Sequence, residues 1–133
     1  MKFSDISAAD WPGLRPYLDT CVLPLTGLCG REEPGQVTVE LERLRDVLEW
    51  VELPFHGRIV TYPAIQYVLE EGMEELVNGI CRKLKEGGFR YVLVLTASSR
   101  FEREMYEADL FFSPYRGTAA DLKNELQALW QRV

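Results

Sequence analysis

The densest run of side chains able to do chemistry is Thr96-Ala97-Ser98-Ser99-Arg100, which follows an apolar stretch and opens a helical pattern. Hydroxyls and free N–H groups at a helix start, beside a guanidinium, make an anion site, because the donors converge where the helix dipole is positive. Arg116, in Ser113-Pro114-Tyr115-Arg116-Gly117, offers a second cation that would complete a fork on a carboxylate or phosphate. Thr96, Ser98, Ser99, Arg100 and Arg116 are therefore the candidate ligand-binding residues. A plainer role competes for Ser99, which with Glu102 fits a helix capping box. Neither G-x-x-x-x-G-K-[ST] nor G-x-G-x-x-G occurs, so no nucleotide-phosphate motif stands behind the site.

Other chemistries find less support. A serine nucleophile needs a base within hydrogen-bond reach, and His56 is the one imidazole. It precedes a strand, which puts it at the amino-terminal edge, away from the Ser98–Ser99 segment. Paired glutamates, Glu32-Glu33, Glu70-Glu71 and Glu74-Glu75, read as solvated faces or dipole complements, with Glu32 and Glu33 alone near the favoured edge. Cys21, Cys29 and Cys81 form no C-x-x-C and with one histidine make a poor zinc set, so no metal and no cofactor is expected. Cys21 and Cys81 read as buried packing residues. Cys29 lies in the glycine-rich Thr26-Gly27-Leu28-Cys29-Gly30-Arg31 beside a cation, the setting of a reactive thiol.

The elements that must position these residues follow from periodicity. Thr20 to Leu25 is an apolar run of strand length, although Pro24 counts against a central place because it cannot donate to a ladder. Arg58 to Tyr62 and Leu110 to Phe112 are further strands, and Tyr91 to Thr96, apolar throughout, is the central one. Leu41, Leu44, Leu48 and Val51 share one face of a helix over Val37 to Val51. Leu76, Val77, Ile80 and Leu84 do so in a helix over Met73 to Glu86 that Gly87-Gly88 ends. A capping box at Thr118 and Asp121 opens a C-terminal helix striped by Leu122, Leu126, Leu129 and Val133, and a further helix runs from Ser99 through Phe101 and Met105. Residues 1 to 18, with Pro12 and Pro16, form a capping arm, and Ala64 to Gly72 is ambiguous.

Strands alternating with helices, without hairpin signals, imply an α/β fold: a three-layer α/β/α sandwich with about four mainly parallel strands. The loops after the carboxyl ends of those strands form the binding edge. The 133 residues suffice for one domain over 1–133 with a core that needs no staples. Fifteen Lys and Arg against 21 Asp and Glu leave a net charge of −6, which argues against nucleic-acid binding. No stretch approaches the roughly 20 apolar residues that cross a bilayer, and no secretory core is seen near Met1, so a cytoplasmic location without membrane insertion is expected.

Cys21 to Gly27, Arg58 to Pro63 and Gly88 to Thr96 resemble, in layout, the core strands of the creatininase-type amidohydrolases. That family carries metal-binding histidines where this chain reads Leu28-Cys29-Gly30-Arg31-Glu32-Glu33 and Ala97-Ser98-Ser99-Arg100, so the resemblance implies the fold and not the activity. Tyr17-Leu18-Asp19-Thr20 leading into Val22-Leu23-Pro24-Leu25, and Gly57-Arg58 before the second strand, are similar to a family of short uncharacterised proteins from spore-forming bacilli. That resemblance implies no activity. Its members' similarity to proteins encoded near menaquinol and cytochrome c reductase genes hints at a protein partner. The functional expectation is a non-catalytic binding or interaction module, with a degenerate creatininase-like edge that takes a protein partner or a small anionic ligand. The alternative is a hydrolase or transferase acting there on a small anionic substrate, with Ser98, Ser99, Arg100, Arg116 and a carboxylate such as Glu32. Oligomeric state is not read from these features.

Overall fold

A computed structural model of the chain describes residues 1–68, 70–101 and 107–132. One sheet organises it. β1 (Thr20–Leu28), β2 (Ile59–Thr61), β4 (Tyr91–Thr96) and β5 (Leu110–Phe112) run in the order β2-β1-β4-β5, and β3 (Ile65–Tyr67) joins β1 beyond β2. Every pairing of these strands is parallel. β1 is fully buried along its length and so is β4, as expected of strands covered on both faces.

Alternation along the strands splits the core in two. Val22, Leu93, Leu95 and Phe112 meet Leu44, Val47, Leu48 and Val51 of α2 (Pro34–Glu52) and Leu122, Leu126 and Leu129 of α4 (Ala119–Trp130). Cys21, Leu23, Leu25, Val92, Val94 and Phe111 meet Val77, Cys81 and Leu84 of α3 (Met73–Glu86) on the other face. This is the α/β sandwich that the alternation of elements demands, with helices over both sides of the sheet.

Three details depart from the sequence reading. Pro24 sits in the centre of a central strand. Even-numbered residues of β1 direct their peptide groups toward β2: the Thr20 N–H donates to Arg58 O and the Val22 carbonyl accepts from Tyr62 N. Pro24 continues that parity, so its missing donor faces residues 62–64, between β2 and β3, where the edge chain leaves the ladder. Leu41 is exposed because the first turns of α2 extend past the buried face, which runs through Leu44, Val47, Leu48 and Val51. In α3 the buried face runs through Val77, Cys81 and Leu84, and Leu76, read as part of it, is exposed.

β1 runs three residues past its expected end at Leu25, to Leu28, and α2 begins at Pro34 rather than Val37, since proline fits the first turn of a helix, whereas α3 and the start of α4 fall where the sequence puts them. Val133, assigned to the α4 stripe, lies outside the described residues. Thr118 and Asp121 close a reciprocal capping box, with Thr118 N donating to Asp121 Oδ2 at 2.9 Å and Asp121 N to Thr118 Oγ1 at 3.2 Å. Gly88, at φ +119°, ends α3, and Phe89 N returns to Leu84 O as in a left-handed cap. The arm before β1 holds a 3-10 turn (Phe3–Asp5) and the short α1 (Trp11–Leu14). No helix starts at Ser99 as expected: Ser99 and Arg100 form a turn, in which Ser98 Oγ takes the Arg100 N–H, and Phe101 is not helical, while the rest of that expected helix, residues 102–106, lies outside the described residues. Among the described residues no helix is long and apolar enough to cross a membrane.

Candidate functional site

Adjacent strands β1 and β4 send their connections to opposite faces of the sheet. The chain leaves β1 for α2, whereas the residues after β4 lead to Phe101, which packs on the α3 side. Such a reversal opens a crevice at the carboxyl ends of the two strands, the place where open α/β sheets bind ligands.

Gly27 and Ser98 meet at this point. A Cβ on Gly27 would stand 2.4 Å from Ser98 Oγ and 2.7 Å from Ser98 Cβ, so glycine is what lets the loop after β4 close on β1. Next to them lies a cleft of about 500 Å³ whose lining includes Glu32, Glu33, Gln36, Glu40 and Arg100. The overhanging first turns of α2 form one wall, and the loops after β1 and β4 form the others.

The loop after β1 is shaped by Glu32. Its carboxylate accepts from Cys29 N at 2.6 Å and from Gly30 N at 3.0 Å, with Gly30 in the left-handed region at φ +95°. The Cys29 backbone bond foremost, with the Cys29 side chain and the Gly30 amide adding to it, lowers the Glu32 pKa to about 2. Arg31, expected to serve Cys29, turns instead to Glu70, 3.9 Å away, with both groups in solvent. The cysteine's immediate charged neighbour is thus the Glu32 carboxylate.

A second cleft, of about 320 Å³, lies further along the same edge, lined by Ser99, Phe101, Ser113, Tyr115 and Arg116. Here the loop after β4 and the loop after β5 face one another. Arg116 Nη1 donates to Phe111 O at 3.2 Å, and its guanidinium carbon lies 5.1 Å from the Phe111 ring centroid, which fixes the side chain at the cleft. The phenol of Tyr115 is largely exposed.

The five residues singled out in the sequence therefore separate by role. Thr96 is buried, its hydroxyl donating to Leu25 O at 2.9 Å and accepting from Ser98 N at 3.1 Å. Ser98 is buried too and accepts from Arg100 N at 3.1 Å. These two hydroxyls shape the loop. Arg100 lines the cleft between β1 and β4, while Ser99 and Arg116 share the cleft toward β5. Gly27, Gln36 and Glu40 were not singled out as site residues, although a glycine at the end of an apolar strand is a signal of close backbone approach. His56 is exposed in the turn before β2, at the opposite end of the sheet. Among the described residues no group of three or more His, Cys, Asp and Glu side chains is placed to hold a metal ion.

The fold and its edge define a small parallel α/β domain with polar clefts at and beside a topological switch point. The chain belongs to the family described as Protein of unknown function (DUF2487), whose model matches residues 10–123. No curated protein matches it and no solved structure does.

Proposed function

We propose that this chain is a non-catalytic binding module that takes a small carboxylate- or phosphate-bearing ligand in the cleft formed by Ser99, Ser113, Tyr115 and Arg116. The observation that carries this reading is the placement of Ser99, from the loop after β4, across one cleft from Ser113, Tyr115 and Arg116, from the loop after β5. Hydroxyls and a guanidinium around one space are the kinds of donor that an anion takes. Thr96 and Ser98 act behind them by setting the loop, and Arg100 guards the neighbouring cleft. On the resemblance of layout to the creatininase-type amidohydrolases, we read this edge as a degenerate hydrolase edge, in a cytoplasmic protein that works through a ligand or partner.

The catalytic alternative has one feature in its favour, the carboxylates and Arg100 gathered in the cleft beside Gly27. Glu32, the carboxylate that reading would use, is pulled down to about 2 by the backbone N–H of Cys29, which leaves it a weak base.

Titration with inorganic phosphate and with citrate, followed by amide chemical shifts, tests the module. Saturable shifts are expected at Ser99, Ser113 and Arg116, reduced about tenfold in affinity by Arg116→Lys and by Ser99→Ala. Shifts confined to other surfaces, or unaltered by both substitutions, would overturn it.

A further inference from the structure

The outer edge of β2 carries an occupant drawn from the chain itself. Lys2 forms a parallel bridge to Thr61, and Thr61 N donates to Met1 O at 2.8 Å. The neighbouring Tyr62 N points the other way, to Val22 O at 2.8 Å, so the two amides mark the outer and inner sides of the same edge. Lys2 Nζ pairs with Glu52 Oε2 at 2.9 Å, and the same carboxylate oxygen accepts from Thr61 Oγ1 at 2.8 Å. Glu52 is only 13% exposed at its side chain, so the ammonium of Lys2 supplies the charge partner of a nearly enclosed carboxylate. Phe3 then inserts among Tyr62 at 5.0 Å, Phe89 at 5.9 Å and Trp11 at 6.1 Å between ring centroids.

Three consecutive residues thus meet three different kinds of receptor: a strand edge, an anion and an aromatic box. This is the pattern of strand addition, in which main-chain bonds give affinity and side-chain sockets give specificity. The segment that fills it is exposed on its outer side at Lys2, Ser4 and Asp5, and the turn through Ser7 to Asp10 that joins it to α1 is exposed as well.

We propose that residues 1–5 are a detachable strand, and that the β2 edge with Glu52 and the box of Tyr62, Phe89 and Trp11 is an interaction surface for the same segment of a second copy of this chain. Each copy carries both the segment and its receptor, so opening at residues 6–10 and reciprocal exchange produce a closed dimer with the contacts already described. This surface lies apart from the anion cleft.

A chain lacking residues 1–5 tests the receptor when titrated with the synthetic peptide Met-Lys-Phe-Ser-Asp. One-to-one binding is expected, weakened about tenfold or more when the peptide phenylalanine is alanine. A folded, shortened chain that ignores the peptide, or binds both peptides equally, overturns the proposal. Should the shortened chain fail to fold, hydrogen exchange in the full chain reads the same event. The Thr61 amide is expected to exchange at least about tenfold faster than that of Tyr62, with Phe3→Ala accelerating Thr61 alone. Equal rates in both proteins would show that the arm does not detach. Sedimentation of full chain refolded at high concentration should reveal a dimer that Phe3→Ala lacks, and a monomer under every condition overturns exchange with a second copy.

Discussion

Arg58 grips Asp19 with two parallel bonds, Nε to Oδ1 at 2.9 Å and Nη2 to Oδ2 at 3.1 Å, across 39 positions of sequence. The guanidinium also lies over the Trp130 ring, 4.2 Å from its centroid, and Trp130 Nε1 donates to Thr20 Oγ1 at 2.8 Å. Thr20 Oγ1 in turn donates to Asp19 Oδ1 at 3.0 Å, and Phe55 meets Trp130 edge-on. One network therefore fastens the starts of β1 and β2 to the end of α4, at the end of the sheet opposite the clefts. Tyr17-Leu18-Asp19-Thr20 and Gly57-Arg58, two sequence segments with no evident connection, are brought together by it.

Asp19→Ala is expected to lower stability by about 1–2 kcal/mol, since it removes both prongs and leaves a part-buried guanidinium unpaired. Arg58→Lys should cost nearly as much, because an ammonium makes neither the fork nor the stack on Trp130. Urea unfolding of both variants measures this, and an Asp19→Ala protein as stable as the parent would show that the clasp contributes nothing.

The contact between Gly27 and Ser98 is expected to tolerate no added atom. Gly27→Ala places a Cβ 2.4 Å from Ser98 Oγ and should destabilise by about 1–3 kcal/mol. Ser98→Gly removes both offending atoms, so the double variant should recover part of the loss despite carrying two substitutions. Simple additivity in a thermodynamic cycle would mean that β1 and the loop after β4 do not touch there.

Most elements were legible because their patterns are long. Leu44, Leu48 and Val51 recur at helical spacing, α3 is bounded by Met73 and Glu86 as its apolar face and the glycines after it indicate, and the capping box names Thr118. β3 was not legible: its three residues are partly or fully exposed and irregularly paired, so they carry no apolar run to read. Pro24 misled because the penalty for a missing donor depends on which neighbour it faces, and that neighbour is interrupted between β2 and β3. The carboxyl edge, where the two clefts lie, followed from parallel alternation alone. The adjacency of β1 and β4 did not, since it depends on strand order, and without it neither the Gly27–Ser98 contact nor the separation of Arg100 from Arg116 into different clefts can be foreseen.

The loop after β1 should keep its shape in acid well beyond the point where ordinary glutamates protonate. Backbone donation from Cys29 foremost lowers the Glu32 pKa from 4.5 to about 2. A depressed carboxyl contributes order that is complete above its unfolded value and lost as pH falls through its folded value. The window is therefore from about 4.5 down to about 2. The Cys29 and Gly30 amide resonances should titrate near the lower limit, and Glu32→Gln should abolish that titration. A midpoint near 4.5 would show that the carboxylate does not hold these amides.

The three thiols should divide sharply in reactivity. Burial pushes Cys21 up to about 12 and Cys81 up to about 11, and both lie in the core where α3 packs on the sheet, whereas Cys29 is part-exposed in the loop after β1. Only the thiolate attacks an alkylating reagent, so the two core cysteines are shielded both by packing and by protonation. Iodoacetamide at neutral pH should therefore modify Cys29 alone in the native chain and all three cysteines in urea. The same shifts set an alkaline limit, because raised folded values mean that stability is fully held below about 9 and lost progressively as pH climbs toward 11 and 12. Peptide mapping that finds Cys21 or Cys81 labelled at the rate of Cys29 in the native protein would place those side chains outside the core and overturn the packing of α3 on β1.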